Sequence, residues 1–313
     1  MVSPQRLQGL ATWEEFGENG EMELANLWFS PPSQTLEQQL AAVRELGFHG
    51  LGLLAGGFLP PRSRADVNHA ASGLGADSGR VSVLSLALLD DEEDSAEPAW
   101  RRVSVPQMVH ALRSLSCSQL LIPCGLDARK PLQERASKLT ARVAQGERLD
   151  PSEEALEQVL VEAGVEMERQ LEPLVAFLYD LRKAAPGLRI ALRPEISAAS
   201  LLDPVRFRML LEELPDAELG YWHDVGVTEM RAFGGMEAPG AWLDAFGSRI
   251  QGTTLHDFAG GAMHLPPGIG TVDWPLLAEY LPRQAGRVLA VAPSYPGEVL
   301  VEARTTLDSR LPA

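Results

Sequence analysis

The chain has 313 residues, 45% of them hydrophobic and 22% charged, ordinary proportions for a packed globular protein. Only 6% are aromatic, so Ala and the branched aliphatics must supply most of the core. With 27 Lys and Arg against 43 Asp and Glu, the net charge of −16 disfavours nucleic acid and anionic membrane as partners, since both repel an acidic surface.

Residues 1–21 read as an N-terminal extension with no apolar run of signal-peptide length. No stretch of about 18 apolar residues occurs anywhere, so no membrane span is predicted and the cytoplasm is the expected compartment. Cys117 and Cys124 stand close together around one apolar run, which points to reduced thiols.

Short apolar runs alternate with longer amphipathic ones, the rhythm of βα units on a parallel sheet. The first strand is predicted over 22–29 (MELANLWF) and the first helix over 35–46. Leu36, Leu40, Val43 and Leu46 give that helix an apolar face, with Thr35 or Ser33 as cap and Gly47 as stop. Strands follow at 49–54 and 80–89, then the acidic loop DDEEDSAE, then a helix over 105–116 capped by Ser104 with Pro106 in its first turn. The fourth strand is QLLIPC (119–124). Residues 126–160 read as an inserted polar helical segment, suited to a lid or a partner contact, ahead of a long helix over 160–185. Strand five is LRIALR (188–193), a helix begins at Asp203-Pro204, and strands six, seven and eight are 218–224, 250–257 and 287–292, with a closing helix over 297–309. Eight such units predict one (β/α)8 barrel in a single domain. A doubly wound sheet is the alternative, but no Gly-x-Gly-x-x-Gly follows the first strand.

Three stretches carry a resemblance: LAAVRELGFHGLGLL (40–54), the segment 188–227 through LRPEIS and YWHDVGV, and RIQGTTLHDFAGGAMHLPPGIGTVDWP from Arg249. The chain resembles the xylose isomerase-like sugar phosphate isomerase/epimerase superfamily, with the match running from residue 22 to 309 and weakest over 126–160. The resemblance implies a TIM barrel whose strands five to eight end in Glu, Asp, His and Glu around one divalent metal. That metal polarises a carbonyl or a pair of hydroxyls while carboxylates shuttle a proton. Here those positions read Arg193, Asp224, Thr254 and Ala290, and the acidic position of strand two reads Gly52. A guanidinium cannot ligate a metal and Ala has no donor atom, so a degenerate metal site and no cofactor are expected.

Strand alternation turns Arg193 and Asp224 to the same interior, where they could pair in the space of the lost metal, as a ligand anchor or as a structural plug. The alternative is a site shifted by two residues. Glu195, Asp224 and His256 would then be the catalytic set, holding one divalent ion (Mn, Zn or Mg) in an active isomerase or epimerase. Trp28, Arg193, Asp257 and His264 are the candidate ligand-binding residues, Trp28 by stacking on a sugar face. His49 and His223 flank inward positions and should face helices; His110 reads as an ordinary helical residue, and His69 has no assigned role. Pro266, Pro267, Gly268 and Gly270 shape the loop after strand seven. The expected partner is a small polyhydroxylated or anionic molecule or another protein, with a homo-oligomer possible. The superfamily's endonuclease branch, which uses several metals and many His ligands, fits this chain poorly.

Overall fold

The computed structural model describes residues 21–29, 35–54, 80–90, 97–214 and 219–312. Eight parallel strands close into a barrel. They are β1 (Met22–Ala25), β2 (Leu51–Leu53), β3 (Val81–Ser85), β4 (Gln119–Cys124), β5 (Arg189–Pro194), β6 (Leu219–Asp224), β7 (Ile250–Leu255) and β10 (Gly286–Leu289), and the last pairs back onto β1. Between β7 and β10, β8 (Asp257–Ala259) and β9 (Ala262–Leu265) form an antiparallel hairpin. The described helices are α1 (Leu36–Glu45), α2 (Ala99–Arg102), α3 (Val105–Ser114), α4 (Lys130–Ala144), α5 (Glu154–Ala184), α6 (Pro204–Glu213), α7 (Val225–Phe233), α8 (Pro239–Phe246), α9 (Trp274–Tyr280) and α10 (Gly297–Arg310). None is long and apolar enough to cross a membrane.

Local chemistry sets the element ends. Thr35 closes a capping box with Gln38 at the start of α1, and Gly47 leaves its end at φ 79°. Ser104 and Gln107 do the same for α3. Strand β1 stops at Ala25, not at residue 29, because the Asn26 side chain accepts the Leu54 amide at 2.9 Å and the chain coils into a 3-10 turn over Asn26–Phe29. A second 3-10 turn over Leu86–Leu89 shortens β3 in the same way. The predicted seventh strand is broken at His256, where the chain folds into the hairpin. The long helix starts at Glu154, not near 160, with Glu154 and Glu157 in its first turn favouring the helix N-terminus. His49 lies exposed before β2, 3.7 Å from Glu21, rather than against a helix. His69, Ser33, most of the acidic loop and the N-terminal extension before residue 21 fall outside the described residues.

Inside the barrel the eight-strand circumference leaves room only for side chains. Ala25, Val83, Leu121, Ala191, Trp222 and Val288 fill the middle layer, and Trp222 is fully buried. Glycine makes that possible: a Cβ on Gly252 would lie 2.2 Å from the Trp222 ring. The 126–160 segment is packed rather than projecting. Leu149 donates its amide to the Phe233 carbonyl at 3.1 Å, and a Cβ on Gly261 of the hairpin turn would meet the Val143 carbonyl at 2.2 Å. Both cysteines are free and buried, and burial pushes their thiols up, Cys117 to about 12.

Candidate functional site at the barrel mouth

At the C-terminal end of β5, Arg193 and Ala191 share the inward face, so the guanidinium sits directly above the apolar plug. Its Nη1 donates to Asp224 Oδ2 at 3.1 Å, and the two side chains are only 7% and 4% exposed. Nη2 donates to Glu195 Oε1 at 3.5 Å, and Glu195 is 30% exposed. Asp224 ends β6 and caps α7, its Oδ1 accepting the Val227 amide at 3.2 Å. The same oxygen lies 3.3 Å from His256 Nε2. Burial pushes the Asp224 carboxyl up, but the His256 hydrogen bond and the Arg193 charge outweigh it and hold the group well below the usual carboxylate range.

The two histidines of the following loop are locked to each other. His256 Nδ1 accepts the His264 amide at 3.0 Å, which leaves Nε2 as the protonated nitrogen facing Asp224. The rings stand 4.4 Å apart, and His264 holds φ 61°, a left-handed conformation uncommon for a side-chain-bearing residue. His264 Nδ1 lies 3.1 Å from the Ala290 carbonyl and donates to it, and its Nε2 is buried without a hydrogen-bond partner. Burial and the neighbouring His256 push its pKa down to about 3, so the ring is neutral at physiological pH.

The donor set does not fit the metal that the resemblance implies. Arg193 replaces one carboxylate, and Asp224 is committed to Arg193, His256 and the α7 amide. The Thr254 hydroxyl accepts the Trp222 indole N–H at 2.8 Å, and Ala290 brings only a backbone carbonyl already used by His264. At Gly52 a Cβ would approach Val288 to 2.7 Å, so no carboxylate has space there. The shifted set is not assembled either. Asp224 and His256 meet, but Arg193 stands between Asp224 and Glu195. Among the described residues no group of three or more His, Cys, Asp or Glu side chains is arranged to hold a metal ion.

Other predicted positions have different work. Both oxygens of Asp257 are taken by the loop it organises, accepting amides from Phe258 (2.9 Å), Gly268 (2.7 Å) and Val272 (3.1 Å). It organises the loop after β7. Half-buried Trp28 spends its indole N–H on the Tyr295 carbonyl at 3.0 Å and meets Phe29 edge to face, tying two loops together. His223 faces outward and lies 3.1 Å from the Tyr221 hydroxyl, with burial pushing its pKa down to about 4. Sequence reading missed Arg231 and Gly226. Arg231 is buried in α7; its Nη1 donates to the carbonyls of Glu195 (2.8 Å) and Ser197 (3.1 Å) while Nε donates to Glu237 at 2.9 Å, so it fixes the loop that carries Glu195. A Cβ on Gly226 would fall 1.9 Å from the His256 ring; the glycine right after Asp224-Val225 was the available signal.

The closed parallel barrel with these alternating helices is the xylose isomerase-like TIM-barrel architecture. D-psicose 3-epimerase from Clostridium cellulolyticum H10, solved with D-tagatose, matches with a TM-score of 0.61 at 9% identity over 94% of this chain and 100% of that one. The 3-keto-D-glucoside 4-epimerase of E. coli matches at 0.58 and 13% identity over 92% and 99%. A probable 3-DHS dehydratase of petrobactin synthesis from Bacillus anthracis gives 0.58 and 11% over 93% and 99%. No family model matches the sequence, and no curated protein matches it.

Proposed function

We propose that this chain is a metal-independent relative of the sugar epimerases that shares their barrel and receives a small polyhydroxylated or anionic molecule at the C-terminal mouth. The observation that carries the reading is the Arg193–Asp224 pair, a buried monocation standing where the resemblance puts a dication. Sugar substrates in the names of two of the structural neighbours support the polyhydroxylated class. The positive charge of Arg193 supports an anionic one. Glu195 is the mouth's half-exposed acid and makes the longest contact to Arg193, so it is the group that an incoming hydroxyl or carboxylate oxygen would displace. No step of isomerisation through a metal follows from this donor set.

The test is a thermal-shift and calorimetric screen of ketoses, aldoses and sugar acids, with elemental analysis before and after chelation. Glu195→Gln removes the competing carboxylate and should tighten binding of a sugar acid several-fold. Near one equivalent of divalent metal surviving chelation, together with ketose epimerisation, would refute the proposal. So would sugar acids that shift neither protein.

A further inference from the structure

The opposite, N-terminal end of the barrel holds a cavity of about 410 Å³, lined by Arg189, Leu219, Ser248, Arg249, Ile250 and Gln284 among others. These residues stand at or just before the first positions of β5, β6, β7 and β10, so the cavity opens beneath four adjacent strands. Its volume lies within the range of about 300–1,000 Å³ typical of small-molecule sites.

Arg189 is the unusual group. It is half-buried, and its described hydrogen bond goes to a neutral carboxamide, Nη2 to Gln119 Oε1 at 3.1 Å. Among the described residues no carboxylate lies within ion-pair distance of it. Its charged neighbours are Arg80, which repels it, and Glu23, whose carboxyl burial pushes up to about 7. A partly buried cation with no carboxylate paired to it is costly, and this one borders an open cavity. Around it the cavity offers donors rather than acceptors of charge. Arg249, with Nη2 on the Leu219 carbonyl at 2.7 Å, brings a second guanidinium to the wall, and exposed Ser248 and Gln284 form the rim. Leu219 and Ile250 are buried and present an apolar side. An inorganic anion would use the donors and leave the apolar side and much of the volume unused.

We propose that this cavity binds a small phosphomonoester, with Arg189 anchoring the phosphoryl oxygens, Arg249, Ser248 and Gln284 donating around them, and Leu219 and Ile250 against the organic part. Guanidinium matches phosphoryl oxygens in planar, paired hydrogen bonds. The site is separate from the mouth, and Gln284→Glu set against Glu195→Gln tells binding here from binding there.

Isothermal titration of the full chain with glycerol 3-phosphate, inorganic phosphate and glycerol tests it. Glycerol 3-phosphate should bind, phosphate should bind more weakly, and glycerol should not bind. Arg189→Gln should weaken the ester roughly tenfold or more. Gln284→Glu adds a negative charge at an exposed rim position without touching the core and should weaken it several-fold. Glu195→Gln at the mouth should leave it unchanged. Absence of binding to the unaltered chain, phosphate binding with the ester excluded, or a response to Glu195→Gln instead of Gln284→Glu would each overturn the proposal. If Arg189→Gln does not fold, unchanged affinity in Gln284→Glu is sufficient to overturn it.

Discussion

Replacing Arg193 by Met keeps an unbranched apolar stem and removes the charge from a site where both partners are almost wholly buried. Asp224 would keep its cap on α7 and its contact to His256 but lose the Arg193 guanidinium. Breaking a buried pair from one side costs about 3–5 kcal/mol, because an uncompensated charge remains. For a chain of this size that corresponds to a fall in Tm on the order of 10 °C. Asp224→Asn on the same background removes the stranded charge while the amide oxygen still accepts the Val227 amide, so the double variant should regain most of the loss. Urea unfolding of the wild type, both single variants and the double variant gives the coupling, expected at about 2 kcal/mol or more. The same series has a pH signature. Asp224 has a depressed folded pKa, so its stabilisation is present above its ordinary value of 3.8 and is lost as pH falls through the lower folded value. Arg193→Met should flatten that acid limb. Additive single effects, or a loss under about 1 kcal/mol in Arg193→Met, would refute the claim that this pair holds the mouth together.

Three further outcomes are expected. Glu23 has its carboxyl raised by burial from 4.5 to about 7, so in the fold it holds its proton until pH nears 7 and its contribution declines as pH rises from 4.5 through 7. Glu23→Gln should therefore raise stability by up to about 3 kcal/mol at pH 8 and change it little at pH 4, measured by thermal melts. Gly226→Ala places a methyl against the His256 ring and should cost about 1–3 kcal/mol, read by denaturant unfolding, with a changed His256 resonance in NMR spectra. Gly261→Ala combines a left-handed backbone at φ 87° with a clash at the Val143 carbonyl and should cost about 1–3 kcal/mol. It should also expose residues 145–153 to limited proteolysis, and unchanged cleavage would contradict a docked insertion.

The barrel was legible because period and punctuation agree: apolar runs of strand length, capped amphipathic helices, and a stop at Gly47. Boundaries were missed where a side chain, not propensity, ends the element. Asn26 captures a neighbouring strand's amide, and His256 captures an amide from eight residues further on. At the mouth, alternation along β5 and β6 sufficed to bring Arg193 and Asp224 together. Glu195 also reaches the mouth, 3.5 Å from Arg193, but it does so from a loop past Pro194 that the Arg231 side chain steers from α7. Nothing local in the sequence announces that contact, which joins residues 36 positions apart. Asp257 reads as a candidate ligand-binding residue in the stretch after strand seven, and its structural work is not legible there. Its oxygens answer the backbone donors of a loop whose conformation only the fold reveals.

Trp222 and the buried aliphatic side chains around it form an apolar layer across the barrel axis, with Arg193 on one side of it and Arg189 on the other. Substitutions above that partition change what meets the helical mouth, and those below it change what meets Arg189 and Glu23. Neither set alters the other's surroundings. Change at one end of the barrel can therefore accumulate without disturbing the other, with the indole as the insulating layer between two surfaces.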